Sequence, residues 1–195
     1  MNQKRFRGYL VGAAIVLLGL YLMVAYNSLV KKEEALNRTW SEVQSTYQRR
    51  LDLTPNLVSV VKGVSDFEQT TLTQIAQARA KATQVMGGSL SAENYQQQSQ
   101  AQDALAGASN RLIISIEKYP VLKGTNAYRG LQTQLEGNER RIKVARNDFN
   151  AAVADYNQAV RAFPKSLVAR LFRFDEKQGF QANEGANKNV EISFK

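Results

Sequence analysis

The sequence predicts an all-α protein: an N-terminal transmembrane helix followed by an elongated antiparallel four-helix bundle. Three observations carry this expectation. Residues 8–30 contain no charged side chain. Beyond them, apolar residues recur at steps of three and four, the period of an amphipathic helix. The three prolines, Pro55, Pro120 and Pro164, fall where that period breaks, and nothing in 31–165 alternates as a strand would.

Lys4, Arg5 and Arg7 make residues 1–7 a basic tail. As a helix, 8–30 would reach about 35 Å at about 1.5 Å per residue, enough for a hydrocarbon core of about 30 Å. Tyr9, Tyr21 and Tyr26 lie toward its ends, where an interfacial aromatic belt would sit. A cleavable signal peptide also begins basic and turns apolar, but its core is roughly 7–15 residues and ends at a small-x-small site. Here the apolar run continues through Leu17–Met23 to Tyr26 with no A-x-A site, so an uncleaved single-pass anchor is expected. The positive-inside comparison ties, with Lys4, Arg5 and Arg7 before the span and Lys31, Lys32 and Arg38 after it. The closer clustering on the amino side tips the expectation toward a cytoplasmic amino end and an extracytoplasmic bundle.

Residues 31–195 are enough for one domain with a core. The chain carries 26 Lys+Arg and 17 Asp+Glu, a net charge of +9, of which residues 31–195 hold +6. Its pI of 9.8 admits anionic lipid, nucleic acid or acidic protein as partner without selecting one. There is no Cys and no His. Disulfides, thiolate or imidazole metal ligation, Cys nucleophiles and His acid–base catalysis are therefore excluded. No cofactor or metal is expected.

The first bundle segment, 30–52, places Leu36, Trp40, Val43, Tyr47 and Leu51 on one face. The second, 55–86, does so with Leu57, Val60, Val61, Val64, Phe67, Leu72, Ile75, Ala78, Ala82 and Val85. Gly87-Gly88-Ser89 reads as a loop. A third helix over 91–118 begins polar, at Gln96-Gln97-Gln98, and carries Leu105, Ala108, Leu112, Ile116 and Tyr119. The fourth shows an unbroken three–four alternation: Tyr128, Leu131, Leu135, Asn138, Ile142, Ala145, Phe149, Ala152, Tyr156, Ala159 and Phe163. Such a seam, about 57 Å long at about 1.5 Å per residue, is the mark of left-handed helix packing. Glu136–Arg140 and Glu139–Lys143 are spaced as stabilising i,i+4 pairs.

Thr54-Pro55 decides the architecture. Thr54 suits an N-cap and Pro55 a first helical position, so a turn is expected there, giving four helices running up-down-up-down. The alternative is a kink at Pro55 and three long helices. With a turn, the last helix ends beside the membrane. The stretch 166–174 sets Leu167, Val168, Leu171, Phe172 and Phe174 against Arg170 and Arg173. It reads as a short amphipathic helix capping the core, or as an interfacial helix on anionic headgroups with Lys165 and Lys177 assisting. Residues 175–195 are Gly-, Asn- and Glu-rich and are expected to form a flexible tail.

In order along 26–174 come Tyr26-Asn27-x-Leu29-Val30, Trp40-Ser41-x-Val43 and Gln48-Arg49-Arg50-x-Asp52-Leu53-x-Pro55-Asn56-Leu57-Val58. Val61-Lys62-Gly63, Glu68, Ala78-Arg79-Ala80, Ala145-Arg146-x-x-Phe149-Asn150, Val153 and Tyr156-Asn157 follow. The series closes with Phe163-Pro164-x-x-Leu167-Val168-Ala169-x-Leu171-Phe172. With these motifs the chain resembles the LemA family of bacterial single-pass membrane proteins. The departures are Phe149, where the family usually has Tyr, and Arg173, where it often has Gly. The resemblance implies a short amino-terminal tail, one transmembrane helix and a helical bundle at the bacterial inner membrane. It supplies no activity and no catalytic residues, and some members are thought to hold the amino end outside the cell.

Trp40, Arg49, Arg50, Asp52 and Asn56 are the candidate partner-binding or bundle-specifying residues; Lys165, Arg170, Leu171, Phe172 and Arg173 are the candidate membrane-surface residues. Asp52 is expected to cap the helix after it and pair with a neighbouring arginine. Asn27, Asn56, Asn138, Asn150 and Asn157 are expected to fix register or cap ends within the bundle, and Trp40 to lie in the core. Arg140, Arg141, Lys143 and Arg146 are interrupted by Glu136, Glu139 and Asp148, so they read as a solvated face rather than a nucleic-acid stripe. The leading reading is a membrane-anchored scaffold without catalysis, engaging a membrane or envelope protein or itself. A binder of anionic lipid through 164–177 is the second. A hydrolase using Asp52 or Glu68 is the third. Neither nucleic acid nor a small-molecule substrate is expected.

Overall fold

The computed structural model of the protein describes residues 3–62, 69–87 and 91–180. Helix α1 covers Gln3–Val61, α2 Gln69–Gln84, α3 Ala92–Ile116, α4 Pro120–Lys123, α5 Asn126–Arg161 and α6 Lys165–Leu171. There is no strand among the described residues. The all-α expectation holds.

The expected turn at Pro55 is not there. Helix α1 runs through it without a break for 59 residues, about 88 Å at about 1.5 Å per residue. Proline within a helix leaves the carbonyl four residues earlier without its donor. Here that carbonyl belongs to Leu51, and the Nε of Arg79 on α2 donates to it at 3.1 Å. A tertiary contact thus replaces the missing backbone bond, which no local propensity could reveal. The chain turns instead after Val61, so the bundle still has four long helices, and the three-helix alternative fails as well. Val64 and Phe67 of the expected second helix, and Glu68, lie outside the described residues.

Helices α1 and α5 form an antiparallel pair. Lys32 meets Asp155, Thr46 meets Asn138 and Arg50 meets Glu139, so numbers rise on one helix as they fall on the other. Helices α2 and α3 pack on the end of this pair away from the charge-free run. Leu53, Leu57, Val61, Ile75, Leu112, Ile116 and Leu131 share that distal core. Ser91 caps α3 by accepting from the amide of Asn94, and Thr125 caps α5 by accepting from that of Tyr128. Gly87, at φ +91°, is in the left-handed region that glycine favours. Its carbonyl accepts from the side-chain amides of Asn94 and Gln98.

The seam on α5 is buried as expected from Tyr128 to Phe149. It then moves by one residue: Val153 and Val160 are buried, while Ala152 and Ala159 are half-buried. A straight helix drifts about 20° per heptad against a strict seven-residue repeat, and over the later heptads that drift brings the next residue inward. Phe163 lies beyond the helix and is 82% exposed. The expected intrahelical ion pairs give way to other partners. Glu139 binds Arg50 of α1, and Glu136 accepts from Gln132.

Apolar side chains of the charge-free run stand outward from α1: Tyr9, Leu10, Val11, Ile15, Val16, Leu17, Leu18, Leu20, Met23 and Val24 are all more than half exposed. This is the one helix among the described residues long and apolar enough to cross a membrane. Burial on α1 begins at Ala25 and Leu29. Helices α5 and α6 come back to that level, where the Nζ of Lys165 donates to Ser28 Oγ at 3.0 Å.

Candidate functional site

Of the candidate partner-binding residues, Trp40 and Arg50 are buried and Arg49, Asp52 and Asn56 are exposed. The guanidinium of Arg50 donates through Nε to Glu139 at 2.9 Å, through Nη2 to the other oxygen of that carboxylate, and through Nη1 to the Gln102 carbonyl at 2.9 Å. It ties α1, α3 and α5 at one level. Arg49 donates to Gln134 at 3.4 Å. Among the described residues Asp52 neither caps a helix nor pairs with an arginine; it accepts from Gln48, one turn back on α1, at 2.9 Å. The reason is the continuity of α1, which leaves no helix start for Asp52 to cap. These five residues do not converge.

Trp40 belongs to a second cluster that sequence reasoning did not assemble. Its ring lies 5.8 Å from that of Tyr95, 5.3 Å from Phe149 and 6.1 Å from Phe180, centroid to centroid. Phe180 belongs to the stretch expected to be a flexible tail. That expectation is corrected for 175–180, which lies against α1, α3 and α5; residues 181–195 are outside the described ones. Asn157 donates from Nδ2 to the carbonyl of Lys177 at 2.7 Å and accepts the amide of the same residue at 2.8 Å. Asn150 does the same to Phe180, at 3.2 and 2.7 Å. Each asparagine thus treats one residue of the segment as a neighbouring strand would. Tyr95 also donates its hydroxyl to the Gln178 carbonyl. The spacing of Asn150 and Asn157 was visible in the sequence; the segment they bind was not.

Arg146, expected on a solvated face, is half-buried beside this cluster. Its Nε donates to the Tyr47 hydroxyl at 2.9 Å and its Nη2 to Asp103 at 2.8 Å. Its guanidinium carbon lies 5.4 Å from the Tyr47 ring centre and 5.3 Å from that of Phe180, within cation–π range. Burial works against its charge, but Tyr47 and Asp103 outweigh burial and raise its pKa. Burial pushes the Tyr47 hydroxyl up, and Arg146 offsets part of that. Arg140, Arg141 and Lys143 are exposed, as expected.

The candidate membrane-surface residues gather at the foot of the bundle. Helix α6 buries Val168 and Ala169, so it does cap the core, and turns Leu167 and Leu171 outward. Phe172 packs edge-on to Tyr26 at 4.9 Å yet stays 48% exposed. Arg170 is exposed, and Arg173 ends the turn at φ 60°.

No group of three metal-ligating side chains exists among the described residues. Arg50 and Arg146 are held by carboxylates, a side-chain amide, a carbonyl and a phenol of the bundle itself, and Asp52 lies on the surface bonded to Gln48 of its own helix. What the arrangement holds is the chain's own polypeptide: side-chain amides and a phenol bond the backbone of 177–180, and three aromatic rings receive its phenylalanine.

This is an all-α bundle built on a helix fit to span a bilayer. The LemA family model matches residues 39–194, and the chain belongs to the LemA family. It is 25% identical over 179 residues to magnetosome protein MamQ 2 of Paramagnetospirillum magneticum, covering 82% of this chain and 66% of that one. Against magnetosome protein MamQ of Magnetospirillum gryphiswaldense it is 26% identical over 178 residues, covering 82% and 65%. With Protein LemA of Metamycoplasma hominis it shares 24% identity over 182 residues, covering 92% and 80%. The chain therefore spans about two thirds of the length of the magnetosome relatives.

Proposed function

We propose that this protein is a membrane-anchored helical scaffold, without catalysis of its own, that works through protein–protein contacts at the bacterial inner membrane. One observation carries the reading. Among the described residues the buried and half-buried arginines, Arg50 and Arg146, are engaged in tying helices together, while α1 continues unbroken from an apolar, outward-facing rod into the bundle core. A rod of this kind presents the bundle's exposed helix faces at a fixed height above lipid. The close clustering of Lys4, Arg5 and Arg7 before the span favours an extracytoplasmic bundle. Crosslinking in intact membranes followed by mass spectrometry tests the reading. It is expected to recover a reproducible partner, either another membrane or envelope protein or a second copy. Recovery of monomer alone refutes it.

A second reading has its own support at the foot of the bundle. Phe163, Leu167 and Leu171 are 82%, 60% and 67% exposed beside Lys165 and Arg170, an apolar-and-basic combination suited to an anionic interface. An environment-sensitive dye on Leu167→Cys, in full-length protein in anionic vesicles, is expected to report an apolar surrounding. A water-like signal there removes this role.

A further inference from the structure

The segment 175–180 fills a groove that is built to hold an extended chain. Along α5, Asn150 and Asn157 are seven residues apart, about 10.5 Å at about 1.5 Å per residue. Their partners Phe180 and Lys177 are three residues apart in extended chain, about 9–10 Å. The two spacings match, so both asparagines close two-bond pairs with the backbone at once. Between them Gly179 passes so close to α5 that an added Cβ would stand 2.6 Å from Asn150 Oδ1. Phe180 ends the match among Trp40, Tyr95 and Phe149. The groove therefore asks for an extended backbone, a glycine at the close approach and an aromatic ring after it.

We propose that this groove is an interaction surface whose partner is a second copy of this chain, with the 175–180 segment exchanged between neighbours. Every copy carries the one segment known to fit, so an exchanged pair keeps the contacts that residues 177–180 make in the closed form. The connection that must change is short and is held chiefly at Phe174, whose amide donates to the Ala169 carbonyl at 2.9 Å and whose ring lies 5.7 Å from that of Tyr26. Arg173, Asp175 and Glu176 are exposed, Glu176 meets Arg161 only at 4.0 Å, and Arg173 occupies a left-handed φ of 60° that side-chain-bearing residues seldom adopt. Re-extended, residues 173–176 reach about 14 Å. Anchoring through α1 favours the exchange further. Two copies in one membrane stand at one height and in one orientation, and the segment starts at the membrane end of the bundle, so it needs only a sideways step. This deepens the self-association part of the proposed scaffold role and rests on it.

The native chain has no cysteine, so introduced thiols are the sole targets. Lys177 of the segment meets Glu33 of α1 at 3.9 Å. Two full-length versions with different tags, one Glu33→Cys and the other Lys177→Cys, are co-expressed and treated in their membrane with a short bis-maleimide. A product joining the two tags is expected, at least ten-fold above that formed when Thr70→Cys, at the far end of the bundle, replaces Glu33→Cys. The exchange is overturned if the mixed pair does not exceed this collision control while Glu33→Cys/Lys177→Cys in one chain still links internally. In that outcome, a different protein recovered by membrane crosslinking would leave the scaffold reading intact.

Discussion

Cutting the Arg50 tie from its two ends should have unequal consequences. The Arg50 side chain is 3% exposed and that of Glu139 47%. Glu139→Ala leaves a buried guanidinium without its carboxylate, a change worth about 3–5 kcal/mol when a buried pair is broken. The Gln102 carbonyl and side chain still accept from Arg50, which puts the expected loss near the lower end, about 3 kcal/mol. Arg50→Met keeps most of the buried stem and frees Glu139 to be hydrated at its exposed side. What is lost is chiefly the donor to the Gln102 carbonyl, about 1–2 kcal/mol. The double variant should resemble Arg50→Met alone, because the charge left stranded by Glu139→Ala is gone. Trp40 is the sole tryptophan and sits in the bundle core, so its fluorescence follows bundle unfolding in urea without a signal from the apolar rod. The assay uses full-length protein in detergent micelles. Arg50→Met costing more than Glu139→Ala, or the two losses simply adding, would refute the assignment of Arg50 as a buried charge held by one carboxylate.

Other residues give equally direct tests. Arg79→Ala should destabilise by about 1–2 kcal/mol by exposing the Leu51 carbonyl that Pro55 cannot serve, and much less in a Pro55→Ala background, where the backbone amide returns; equal losses in both backgrounds would sever Arg79 from the proline. The Tyr156 pKa is pushed up to about 12, first by burial and then by Glu33 and Asp175. Between about pH 10 and 12 the unfolded tyrosine ionises before the folded one, so stability falls as pH rises through that window. Tyr156→Phe should flatten the fall, and since the buried hydroxyl has no partner among the described residues, it should cost little at neutral pH. Asn157→Ala should raise amide exchange at Lys177 and Phe180 about ten-fold or more, the equivalent of about 1.4 kcal/mol of lost hydrogen bonding; unchanged exchange would mean the segment is held by its phenylalanine alone.

Periodicity made the helices legible because it is local: Leu36, Trp40, Val43 and Tyr47 on α1 and Tyr128 through Phe149 on α5 are buried as their spacing indicates. Where reading failed, the deciding contact was remote in sequence. Pro55 looked like a helix start because its effect on Leu51 is offset by Arg79, 28 positions away. Glu139 looked like an i,i+4 partner of Lys143, but a buried guanidinium from α1 binds it instead. The polar composition of 175–180 suggested a tail, since the groups that hold its backbone, Asn150, Asn157 and Tyr95, are remote from it in sequence. Arg49, Asp52 and Asn56 stood out by residue type alone, and none of them meets another candidate.

The account depends above all on a lipid-held rod continuous with the bundle. Temperature-induced phase separation in a nonionic detergent, with N-terminal sequencing of the protein recovered from cells, measures this directly. Partition into the detergent phase with residues 8–30 retained is the predicted result. Mature protein beginning beyond Tyr26, or recovered wholly in the aqueous phase, would contradict it.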